Sequence, residues 1–120
     1  MRKLSTFEDV FNRIHQEYLG QWVEIEVRIN KVKLSHLAAR LTRCQIKQLK
    51  EGILSGSKKG VIILKGRIGR REVELVQIPF ELGINTMTAY FIKSGAAISS
   101  LGFDFKIRKL GQAEIKNYSA

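Results

Sequence analysis

The stretch that decides the fold is Ser35-His-Leu-Ala-Ala-Arg-Leu-Thr-Arg-Cys-Gln-Ile-Lys-Gln-Leu-Lys-Glu51. It contains neither Gly nor Pro, with Ser35 placed to cap a helix and Gly52 placed to stop one. At helical rotation, Leu37, Ala38, Leu41, Cys44 and Leu49 fall on one broad side, with Ile46 at its edge. Arg40, Arg43, Lys47 and Lys50 fall within about 80° of one another on the opposite side, and His36 extends their stripe. The spacing therefore predicts an amphipathic helix over 35–51 with a wholly positive outward ridge. Like charges four residues apart weaken an isolated helix by about a few tenths of a kcal/mol per pair, so such a ridge calls for a reason, of which solubility is one and an external partner another.

The charge distribution around this stretch points the same way. The chain has 120 residues, 21 Lys+Arg against 11 Asp+Glu, and a formal net charge of +10. Between Arg28 and Arg71 lie thirteen basic residues and one acid, Glu51, a net +12 over 44 residues; the other 76 carry eight basic and ten acidic groups, a net −2. Such asymmetry favours a surface that faces a polyanion. A hydrophobic content of 44% excludes a disordered basic tail. A lone cysteine, Cys44, excludes an intrachain disulfide framework and fits a reducing compartment. The N-terminus lacks an apolar signal core, and the longest uncharged run, 82–92, is too short to span a bilayer as a helix. We expect one cytoplasmic basic domain over 1–120, with 111–120 a frayed tail.

Outward from the central stretch, Ser5 with Glu8, or Thr6 with Asp9, offers a cap. Phe7, Val10, Phe11, Ile14 and Tyr18 then recur at helical spacing up to the Gly20 stop, predicting a helix over 6–19. Val23, Ile25, Val27 and Ile29 alternate as a half-buried strand, and the parity change at Asn30-Lys31 marks a turn or bulge. On the other side, 53–60 reads as a flexible loop carrying Lys58 and Lys59. Val61–Ile68 and Arg71–Ile78 read as a hairpin about Gly69-Arg70, in a register that sets Arg67 opposite Glu72 and Lys65 opposite Glu74. Thr86–Lys93 reads as a strand, 94–97 as a turn or tightly packed segment, and the alternation of Phe103, Phe105 and Ile107 as a last strand ending near Lys109. The expected fold class is α+β: a largely antiparallel sheet of four to six strands, an N-terminal amphipathic helix, and a second, basic amphipathic helix.

For function, long cationic side chains spaced along a rigid element are what phosphate backbones require. The expected partner is nucleic acid, DNA or RNA, bound without catalysis through Arg40, Arg43, Lys47 and Lys50, with Lys58, Lys59, Arg70 and Arg71 extending the surface. Lys65 and Arg67 are expected to serve Glu74 and Glu72 first. Asn and Gln are scarce in the basic third, which argues for weak sequence preference. If 86–93 is a strand, Tyr90 and Phe91 occupy opposite faces and one of them can be exposed, but with so few candidate aromatics phosphate contact is better supported than base stacking. A second reading is an interaction protein or homo-oligomer whose basic face meets an acidic partner, motivated by the apolar stretch 82–103. A remote third is a metal-dependent nuclease built on Asp104 and Lys106, with Glu81 upstream. Cys44, His15 and His36 lack metal-ligand spacing, so no metal or cofactor is expected, and Cys44 is expected to be a buried, inert thiol. In size and composition the chain is of a kind with bacterial or phage accessory proteins.

Overall fold

The computed structural model describes residues 2–49, 59–81 and 87–116. In chain order the elements are β1 (Arg2–Leu4), α1 (Phe7–Tyr18), β2 (Trp22–Ile29), β3 (Val32–Leu49), β4 (Lys59–Ile68), β5 (Arg71–Glu81), β6 (Met87–Ile92), β7 (Gly95–Ser100), β8 (Phe103–Lys109) and a single turn, α2 (Gln112–Ile115). The eight strands form one antiparallel sheet in the order β1-β6-β7-β8-β2-β3-β4-β5. The protein is therefore mostly β, which corrects the α+β expectation of two amphipathic helices.

The N-terminal helix forms where the spacing placed it. The second capping register is the one used: the Asp9 backbone N–H donates to Thr6 Oγ1 at 3.3 Å. Val10, Ile14 and Tyr18 are fully buried, and Gly20 leaves the helix at φ +83°, which a side chain would resist. The sheet curls around this helix. Phe7 stacks on Phe80 of β5 with ring centroids 4.0 Å apart, and Tyr18 packs on Phe91 of β6 at 6.4 Å. Ser100 of β7 also donates its hydroxyl to the carbonyl of Pro79 on β5, although five ladders separate those strands. The two limbs of the sheet thus fold towards each other over one core that includes Ile25, Leu41, Ile62, Leu64, Ile78, Ile98, Phe105 and Ile107.

The predicted helix over 35–51 is instead the long strand β3, paired with β2 on one side and β4 on the other. Its inward residues are Leu37, Ala39 and Leu41 on one side of a register shift at Thr42, then Cys44 beyond it. The shift inserts one extra residue into the strand, so the apolar spacing changes from two to three and back. A three-residue step inside a two-residue alternation mimics the 3–4 spacing of a helix, and this bulge is the reason the stretch reads as helical.

The remaining expectations divide cleanly. Asn30 and Lys31 make the β2–β3 turn with φ of 49° and 67°, and the β4–β5 hairpin forms in the expected register, with a further shift between Leu64 and Lys65. β6 and β8 lie where the sequence placed them, and of the turn or tightly packed segment expected over 94–97, Gly95–Ala97 are tightly packed as the start of the strand β7. Gly95–Ala97 carries too little side chain to signal a strand; the segment is held between β6 and β8 by its ladders. The expected frayed tail contains α2, fixed by Arg108, which donates to both Glu114 carboxylate oxygens at 3.0 and 2.7 Å. Most of the expected loop over 53–60 lies outside the described residues.

Candidate nucleic-acid interface

Residues directly opposite one another in an antiparallel ladder share a face. On β3 the outward set is Arg40, Arg43, Gln45 and Lys47, reached by the same bulge that keeps Leu41 and Cys44 inward. The positive ridge therefore survives the change from helix to strand, but it is stretched. Seven residues span about 20 Å in a strand rather than about 10 Å in a helix.

The neighbouring strand adds charge to this face. Arg40 lies directly opposite Arg67, and Arg43 directly opposite Lys65. Two successive like-charge pairs thus stand across the β3–β4 ladder, an arrangement that destabilises a sheet. Lys59 is at the start of β4, two residues before Val61, which is opposite Lys47. Arg70 sits in the hairpin turn, and Arg71 pairs with Ile68. Arg71 thus falls on the other side of the ribbon from Arg67 and leaves the predicted cluster. Lys50 and Lys58 lie outside the described residues.

The acids meant to neutralise β4 are engaged elsewhere. Glu72 is opposite Arg67, yet its carboxylate lies 3.7 Å from the Arg43 guanidinium and accepts from Thr42 Oγ1 at 2.9 Å. Glu74 is opposite Lys65 and accepts from Gln77 at 3.0 Å. Among the described residues, Arg40, Lys47, Lys65 and Arg67 form no ion pair. Lys65 and Arg67 are the functional candidates that sequence reasoning set aside. Their position was legible from the hairpin register; the diversion of Glu72 to β3 was not, because it depends on a third strand.

On β2 the balance is the reverse. Glu26 is paired with Arg28 at 2.7 Å and Lys33 at 3.2 Å. The Arg28 hydrogen bond, with help from Lys33, holds the Glu26 carboxyl down at about 2. Glu24 is paired with Arg108 at 3.3 Å, and its carboxylate also lies 3.2 Å from His36 Nε2. The outward face of β2 is thus internally compensated, while that of β3 and β4 is not.

The residues of the nuclease reading are distributed over two strands. Asp104 on β8 accepts from Ser99 Oγ at 2.7 Å and lies opposite Arg28. Lys106 is opposite Glu26, and Glu81 is buried on β5 opposite Lys59. Among the described residues, no group of three His, Cys, Asp or Glu side chains is placed to hold a metal ion. Cys44 is partly buried, and that burial pushes its thiol up to about 11, which suppresses the reactive thiolate. Within 87–103 most apolar side chains enter the core, leaving Tyr90 and Ile92 as the large exposed ones. No helix among the described residues is long and apolar enough to cross a membrane. No family model, curated protein or solved structure matches the chain.

Proposed function

We propose that this chain is a non-enzymatic nucleic-acid-binding protein that contacts the phosphate backbone through the outward face of β3 and β4. One observation carries the reading: the like-charge pairs Arg40 with Arg67 and Arg43 with Lys65, set side by side on one face. A sheet gains nothing from this opposition by itself, and a polyanion lying across the four side chains turns the repulsion into attraction. Arg40, Arg43, Lys47, Lys59, Lys65 and Arg67 are the contact residues. Affinity comes chiefly from counterion release, so sequence preference is weak.

The test is an Arg40→Ala/Arg43→Ala/Lys47→Ala variant, with folding checked by circular dichroism. Binding to labelled DNA and RNA is expected to weaken uniformly. The slope of log affinity against log salt should fall by about three, one for each lost phosphate contact. A folded variant that keeps the parent's affinity and salt slope places the contact elsewhere.

A further inference from the structure

The opposite limb of the sheet carries a second outward feature. β6 sends Phe91 into the core and Tyr90 outward, where Tyr90 is 42% exposed and Ile92, beside it, 57% exposed. Across the ladders Tyr90 faces Lys3 on β1 and Ala97 on β7, and beyond Ala97 comes Lys106 on β8. These four side chains form one outward row. Gly95 and Ala97 leave the middle of the row low, flooring a groove of about 310 Å³ with Tyr90 and Ile92 on one wall and Lys106 and Arg108 on the other. The floor at Gly95 is fixed by packing: a Cβ there would lie 2.6 Å from the Ile107 carbonyl oxygen.

The charges on this groove are not equivalent. Arg108 is committed to Glu24 and Glu114, at 3.3 and 2.7 Å. Lys106 faces Glu26, but that carboxylate is taken by Arg28 and Lys33. Among the described residues neither Lys106 nor Lys3 forms an ion pair. An exposed phenol ring, a floor of small residues and two uncommitted ammonium groups in one row match a flat apolar ring carrying anionic groups on either side. The walls, β6 and β8, stand two strand spacings apart, about 10 Å, which admits one ring and excludes a double helix. A base paired inside a duplex cannot present its face to Tyr90, whereas an unpaired base can.

We propose that this groove takes an unpaired base of a single-stranded nucleic acid, stacked on Tyr90, with the flanking phosphates on Lys3 and Lys106. The inference rests on the nucleic-acid reading above and adds to it the strandedness of the ligand. β6 and β3 are four strand spacings apart, about 20 Å of outer surface. One strand of about 4–16 nucleotides, the site size of single-strand-binding OB folds, is long enough to reach both the groove and the phosphate face.

The experiment is fluorescence anisotropy on the full chain with labelled oligothymidylate and oligouridylate of about 12 nucleotides and a duplex of about 20 base pairs, in one low-salt buffer. Tyr90→Ala is expected to raise the single-strand Kd about tenfold and to leave the duplex Kd within about twofold, while Tyr90→Phe keeps the ring and the parent's affinity. Ala97→Gln, which fills the groove, should reproduce the selective loss and serves if Tyr90→Ala melts early. Tyr90→Ala and Ala97→Gln that bind single strands as the parent does, or that lose single strand and duplex equally, overturn the groove and leave the phosphate face standing. A parent that binds none of the three polymers overturns both.

Discussion

The carboxylate of Glu72 passes over Arg67, its neighbour across the hairpin, and lies 3.7 Å from the guanidinium of Arg43 on β3. This contact sets an acid against the positive face of β3 and β4. Both partners are substantially exposed, so its own stabilising contribution is small and screened by salt. Glu72→Gln should therefore leave the melting temperature nearly unchanged and tighten nucleic-acid binding by about two- to fivefold at low ionic strength. Anisotropy titrations at several salt concentrations read both the gain and its loss under screening.

Arg40 offers the opposite trade. Arg40→Glu replaces a like-charge pair with a complementary one against Arg67, and β2 places only Trp22 opposite it on the other side. Stability should rise by about 0.2–1 kcal/mol while affinity for nucleic acid falls. Urea melts and binding curves on the same sample test the pair of directions together. A variant that is both less stable and equally tight in binding would contradict the role given to this face.

Acid pH should act through Glu26 and Glu114. Both carboxyls are held at about 2, Glu26 first by its hydrogen bond to Arg28, Glu114 first by its hydrogen bond to Arg108 and then by the Gly111 backbone N–H. A carboxyl whose pKa is lowered on folding contributes stability above its unfolded value, about 4.5, and that contribution is lost as pH falls through the folded value. The loss should therefore run from about pH 5 down to about pH 2. Chemical denaturation across that window should show a shallower decline in Glu26→Gln and Glu114→Gln than in the parent.

At Gly66 the constraint is steric. A Cβ would lie 2.6 Å from the Arg40 carbonyl oxygen and 2.6 Å from Leu75 Cδ1, and the carbonyl belongs to the β3 backbone and cannot swing aside. Gly66→Ala should cost about 1–3 kcal/mol of stability, read from the shift in denaturation midpoint. The same substitution displaces β3 beside Arg40, so binding should weaken as well.

At the β2–β3 turn, Lys31 holds φ at 67°, a region that L side chains resist. Lys31→Gly creates the Asn-Gly pair that this turn favours, and should raise stability by about 0.5–1 kcal/mol. Thermal melts of the single variant test this directly.

Legibility in the sequence followed the range of the interactions. Helix α1, strands β2 and β8 and the β4–β5 hairpin declare themselves within windows of a few residues, because capping, alternation and turn chemistry are local. β3 does not. Leu41 and Cys44 are three apart, Arg40 and Arg43 likewise, and only pairing with β2 and β4 shows that the step is a bulge and not a helical turn. In β7 only the tight packing is local, because Gly95 and Ala96 owe their strand conformation to Ile107 and Arg108 of β8. The ridge itself was legible in either conformation, since both spacings bring Arg40, Arg43 and Lys47 to one side. What it sits beside was not legible, for Arg67 and Lys65 join it only through strand pairing.

The extra residue at Thr42 also has a consequence for how this chain can vary. Every residue of β3 beyond it is set by one unit of phase, so deletion of a single amino acid there would rotate Arg43 and Lys47 towards the core and the partly buried Cys44 towards solvent. The stretch has almost no freedom in length. Any chain that shares this charged face should keep the count of residues between Leu41 and Lys47.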